Sequence, residues 1–306
     1  MNFIFRALTN TIHLAVKRAG EVGLFNLNDS VFEEDDQCFQ NTWFQPKTAR
    51  SDCMTFVHDA DTWLLDYHVS MAGYLITCGS KYMSEPAVKE GRRDTYWIFP
   101  SLHKISPENI SKHITRMLKQ LVGHVDGVYA NASSHCWKHG ATDDMTANDA
   151  LDIVAVLQRG AWYIESESAG FIYIAKRRND LRAANVLAGY DNIKAIVYAP
   201  PTDLLKGMIT DDKFLALTKM MEVLFEFLPF SIFETDSLFS YRNVLMGSVL
   251  SNFKGITNEL GKSNSLCEVV VVGTANRTGI QLAELLQWGD YVSNVYDLCV
   301  CINLIC

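Results

Sequence analysis

Between Thr62 and Thr77 the text TWLLDYHVSMAGYLIT alternates apolar and polar residues around a central Ala72-Gly73, a pattern that predicts two strands joined at a turn. Elsewhere the spacing is helical. The opening MNFIFRALTNTIHLAV reads as part of a helix, and the acidic, turn-rich run over 26–42 reads as a linker. Residues 78–96 are polar and glycine-interrupted, as in an exposed loop or a ragged third strand. Ser106-Pro107-Glu108 supplies a cap and a first-turn proline, and Ile110, Ile114, Met117, Leu118 and Leu121 then recur at helical spacing with Lys112, Arg116 and Lys119 on the outer side. A second helix is expected after Ser134 and a third over Asn148–Leu157, ended by Arg159-Gly160. Phe171–Val186 is a further helix bearing Lys176, Arg177, Arg178 and Arg182. The last hundred residues read as mainly helical up to Cys267–Gly273 (CEVVVVG), a buried strand by its β-branched run. The expected fold class is therefore mainly α with a small antiparallel hairpin or sheet (α+β). Its expected parts are a short helix and acidic linker over 1–40, a core over 41–200 and a helical extension over 201–306.

Composition narrows the function classes. With 48% apolar residues over 306 positions the chain can bury a core, which excludes collagen-like and wholly disordered classes. Lys and Arg number 27 against 35 Asp and Glu, for a formal charge of −8, so non-specific coating of DNA is disfavoured while a local basic face remains compatible with a dedicated site. Eight cysteines stand without a CxxC pair, pointing to a reducing compartment. The first sixteen residues lack a signal-peptide core, and Met220–Phe233, the most apolar later stretch, carries Glu222, Glu226 and Pro229, so no membrane span is expected.

Three local motifs carry little chemistry. His135 and His139 are four apart on one helix face, but the zincin Glu is missing and no third ligand is indicated, so no metal is expected. CEVVVVGTANRTG leads towards a glycine loop without GxGxxG or GK[ST], and no nucleotide cofactor is expected. Asp59, Asp61 and Asp66 around a predicted strand start read as solvated turn carboxylates.

The order of the remaining motifs is more informative. TWFQPKTARS, the hairpin, SSHCWKHGAT, LQRGAW and IYIAKRRNDLRAANVLAGY follow one another in a succession that resembles the catalytic domain of tyrosine recombinases. The closer similarity is to crypton-like, transposon-derived recombinases of oomycetes and related protists, and it extends through EVLFEFLPFSIFETDSLFSYRNVLMGSVL and TANRTGI, over about residues 41–290. The resemblance implies a DNA-binding protein of mobile-element descent, acting on double-stranded DNA in the nucleus, self-associating there, and needing no cofactor. It further implies that Arg50 and Lys138 hold a scissile phosphate, His135 and Trp162 support the transition state, Lys81 protonates the leaving oxygen and Tyr173 is the nucleophile. Lys112, Arg116, Lys176, Arg177, Arg178 and Arg182 would then contact DNA.

Those residue types suit the reaction. Attack on a phosphodiester builds charge on the non-bridging oxygens, which guanidinium forks stabilise, while a phenol oxygen stores the bond energy as phosphotyrosine. This chain departs from the pattern in ways that predict weak or absent catalysis. Lys138 stands in place of a second Arg and offers no planar fork. Nine residues past Trp162 stands Phe171, so Tyr173 comes two residues late, a rotation of about 200° on a helix. Only about forty residues precede Trp43, too few for the family's DNA-clamping N-terminal domain. The alternatives are a non-catalytic helical scaffold or interaction protein, and a plain reading of Arg50, His135 and Trp162 as ordinary helix and core residues.

Overall fold

A computed structural model of the chain describes residues 3–23, 25–26, 29–33, 38–45, 50–59, 62–82, 98–99, 102, 106–124, 128–162, 180–190, 200–226 and 236–305. The described residues are mainly helical with one three-stranded antiparallel sheet, so the α+β class holds. The sheet lies in a different stretch from the one expected. Its strands are β1 (Ser30–Glu33), β2 (Cys38–Gln45) and β3 (Arg50–Phe56), in the order β1-β2-β3, so two of them enter the segment read as a linker. Phe32 pairs with Phe39 and Phe39 with Phe56, which puts three aromatic rings on one face.

The predicted hairpin over 62–77 is instead a helix, α3 (Tyr67–Tyr82). It runs between α1 (Phe3–Ala15) and α9 (Asp236–Leu260), and its residues 67–76 are buried all round, which removes the polar face that makes a helix recognisable by period. The Ala72-Gly73 pair is no turn: a Cβ on Gly73 would lie 2.5 Å from Phe3 Cδ1, so glycine lets α1 approach α3 closely. Tyr67 stacks on Phe56 at 4.0 Å and Tyr241 of α9 stacks on Phe39 at 4.7 Å, which seats the sheet on both helices. Arg6 of α1 lies 4.3 Å over the Trp63 ring, and its Nε donates to Leu64 O at 3.2 Å. One core cluster runs from Phe3 to Val292, so α1 belongs to the same core as the C-terminal helices.

The short helix α2 (Ala19–Val22) packs on α4 (Pro107–Leu121), which starts at the expected Ser106 cap, whose Oγ accepts from Asn109 N. Next come α5 (His135–Thr146), α6 (Ile153–Arg159) and α7 over 180–187, the described end of the basic helix expected up to Val186. Helices α8 (Asp211–Leu224), α9 and α10 (Leu282–Ile305) complete the chain. Cys267–Gly273 is not a strand: a π-helical turn spans Glu268–Thr274, entered through an Asn264 cap whose Oδ1 accepts from Cys267 N at 3.0 Å. Val270 is buried there and Val272 is 61% exposed. No described helix is long and apolar enough to cross a membrane.

Candidate functional site

Two of the residues implied by the resemblance meet. Lys138 of α5 places Nζ 4.5 Å from the centre of the Trp162 ring and donates to Gly160 O at 3.3 Å. The local sequence Arg159-Gly160-Ala161-Trp162 explains how. Helix α6 starts at the Asp152 cap, whose Oδ1 accepts from Ala155 N at 2.8 Å, and ends in a Schellman turn. In that turn Trp162 N donates to Leu157 O at 2.8 Å and Ala161 N to Gln158 O at 3.1 Å, with Ala161 left-handed at φ 55°. The turn folds the indole back so tightly that a Cβ on Gly160 would collide with it, so only glycine fits.

Arg159 fixes the position of this turn. Its Nε and Nη2 donate to Leu14 O at 3.1 and 2.6 Å, its Nη2 also donates to Thr55 O at 2.8 Å, and its Nη1 pairs with Asp180. Asp180 also accepts from Thr55 N at 2.7 Å. One buried guanidinium therefore ties α1, β3, α6 and α7 together, a structural role rather than a ligand-facing one.

Lys138 is 9% exposed and its pKa is pushed down to about 8. Burial is the main cause; the charge of Glu21 opposes it, and those of Arg18 and Lys17 add to it. An ammonium has three N–H donors, and Gly160 takes one. His135 opens the same helix, exposed, with its ring 6.5 Å from that of His139. The helix start is anchored by Ser134, whose Oγ meets Ser111 Oγ at 2.6 Å on α4, and by Trp137, edge-on to Phe5 of α1 at 5.9 Å. Lys112 and Arg116 are exposed on the outer side of α4, with Arg116 Nη2 2.9 Å from His113 Nδ1. Arg182 of α7 is half-buried, pairing with Asp152 at 3.5 Å and donating to Ala150 O.

Arg50 opens β3 and Lys81 lies near the end of α3, not on a hairpin. Tyr173, Lys176, Arg177 and Arg178 lie outside the described residues.

A second polar cluster was not foreseen. Asp66, expected as a solvated turn residue, is fully buried and caps α3: Oδ1 accepts from Val69 N at 2.6 Å and Oδ2 from Asp59 N at 2.8 Å. His58 Nδ1 lies 2.6 Å from Asp66 Oδ2. Burial works to raise the Asp66 pKa, but the charge and hydrogen bond of His58, with His68 and Val69 N, hold it below the usual carboxylate range. His68 is 0% exposed, neither ring nitrogen has a hydrogen-bond partner among the described residues, and burial lowers its pKa to about 4. The signal for this cluster is Asp66 read as a helix cap rather than as a strand-edge turn.

No protein-family model, curated protein or solved structure matches the chain.

Proposed function

We propose that this chain is a DNA-binding protein on the plan of a tyrosine recombinase, descended from a mobile element and working in the nucleus, whose strand-cleaving chemistry has decayed. The observation that carries the reading is the contact of Lys138 with the Trp162 ring, since the resemblance alone assigns both to one phosphate. His135 one turn before Lys138, and exposed Lys112 and Arg116 on the adjoining α4, are compatible with a duplex lying along this side. The burial of Lys138 and its bond to Gly160 O favour binding over catalysis, because an ammonium held this way cannot supply the planar fork of a second arginine. Phe171 at the expected nucleophile position acts in the same direction.

The test is a nicked suicide duplex incubated with the wild type and with Tyr173→Phe, run beside equilibrium binding across a salt series. The expected result is no covalent adduct, with duplex affinity that falls linearly on a log–log plot against salt. An adduct that disappears in Tyr173→Phe would show live chemistry. Absence of salt-dependent duplex binding would overturn the reading in favour of an interaction scaffold.

A further inference from the structure

Lys138 is an amine without a counter-ion. Among the described residues no carboxylate pairs with it, and its one hydrogen bond runs to Gly160 O at 3.3 Å. The Trp162 ring stands 4.5 Å from Nζ, and the side chain is almost wholly shielded from water. Burial brings its pKa down to about 8, outweighing the carbonyl and the indole face, which both favour the ammonium. At pH 7 about a tenth of Lys138 is then free amine, against less than about one in a thousand for an exposed lysine. The rest stays ammonium, available to a phosphate.

The groups that hold this nitrogen are fixed independently of its charge. Gly160 O and Trp162 belong to the turn closed by Trp162 N on Leu157 O, which Arg159 anchors to α1 and β3. A neutral amine still donates one N–H to Gly160 O and keeps its lone pair for attack. Desolvation of this kind is how lysines become nucleophiles towards carbonyl groups, which a guanidinium in the same place cannot do. His135, exposed and three residues earlier on α5, is its neighbour across one helical turn and can serve as acid or base.

We propose that Lys138 is a nucleophile that forms an imine with an aldehyde beside the Trp162 ring, the aldehyde being the ring-opened deoxyribose of an abasic site in duplex DNA. The reactive amine stands on the turn that holds it. That its substrate is DNA rests on the function proposed above. The Nζ lone pair attacks the C1′ carbonyl carbon, a proton moves to the oxygen, and the carbinolamine loses water as the C=N bond forms. The cationic imine then acidifies C2′. Loss of a C2′ proton to a base breaks the C3′–O3′ bond, with the phosphate of the downstream strand as leaving group, and water releases an unsaturated aldehyde and the free amine. The reaction consumes no oxidant or reductant and does not use Tyr173.

The test incubates full-length protein with a duplex bearing one abasic site, or with the matching intact duplex, in the presence of cyanoborohydride, which reduces an imine to a stable amine. Adducts are digested and mapped by mass spectrometry. The expected result is an adduct with the abasic duplex alone, mapped to Lys138 and lost in Lys138→Arg. Its yield should rise through pH 8 and level off, while adducts at exposed lysines climb until about pH 10. In a second arm, glycolaldehyde and cyanoborohydride at pH 7 should label Lys138 at least about tenfold faster than exposed Lys112. Salt-dependent binding of intact duplex with no adduct at Lys138 in either arm overturns the inference and leaves the DNA reading standing. Glycolaldehyde selectivity without duplex binding supports the reactive amine and removes abasic DNA as its substrate. Labelling spread evenly over the lysines in both arms overturns the proposal, and because the mapping is done on wild type this holds even if Lys138→Arg fails to fold.

Discussion

His68 makes the fold sensitive to mild acid. In the folded chain its pKa is about 4, against 6.5 when exposed, because burial disfavours the imidazolium more than Asp66 supports it. Between those values the unfolded chain binds a proton that the folded chain refuses, so stability is lost as pH falls from 6.5 towards 4 and is fully present above that window. The separation of 2.5 units corresponds to about 3 kcal/mol in total, and to about 2 kcal/mol between pH 7 and pH 5. Asp66 does not confuse the window: its folded pKa is depressed, so its contribution is lost only below its unfolded value of 3.8. His13, also depressed by burial, adds a loss of the same sign that persists whatever stands at position 68. His68→Leu isolates the effect. At pH 7 it removes two buried nitrogens that lack partners among the described residues and is expected to be neutral or stabilising. Between pH 7 and 5 it should lose about 2 kcal/mol less than the wild type. Urea unfolding followed by tryptophan fluorescence at pH 7, 6 and 5 measures both, and equal losses in the two proteins would refute the argument.

Three further outcomes follow from named contacts. Arg159→Met leaves Asp180 and two carbonyls without their buried donor and should cost about 3–5 kcal/mol, with part of the loss recovered when Asp180→Asn is added; urea midpoints of the double-mutant cycle check this. Gly289→Ala would drive a Cβ into Leu250 O where α10 crosses α9, costing about 1–3 kcal/mol or more, whereas Gly140→Ala, with open space around it on α5, should be neutral or stabilise by about 0.5–1 kcal/mol; parallel thermal melts compare them. Asp152→Ala removes the α6 cap and should cost about 1 kcal/mol, read as faster amide exchange over 153–159.

What could be read from the sequence follows from how each segment is buried. Helices α1, α4 and α5 carry either one apolar stripe or a clear start signal, so their pattern was enough. Helix α3 is enclosed by α1 and α9, and with no polar face its local alternation imitated strands. The β-branched Val269–Val272 run imitates a strand through propensity alone, although it folds as a π-helical turn. At the candidate site, motif order leads to Lys138 and Trp162, while the Arg159 junction that fixes the turn between them rests on tertiary contacts with Leu14 and Thr55 that no local pattern announces. Asp66 and His68 were missed for the same reason as α3 itself: a buried cap looks like a turn until the helix beyond it is recognised.

The Arg159 junction also sets an order of assembly. Its acceptors lie 145 and 104 residues earlier in the chain and its carboxylate partner 21 residues later. During synthesis the end of α1 and the β3 edge must wait for more than half of the chain before the guanidinium that binds them exists, and longer until Asp180 arrives to neutralise it. Contacts of such sequence separation form late and slow the final step of folding. The nascent N-terminal half is thus expected to remain loosely packed until α7 has left the ribosome, and its aromatic sheet face to stay open to chaperones longer still, until Tyr241 of α9 arrives to stack on Phe39.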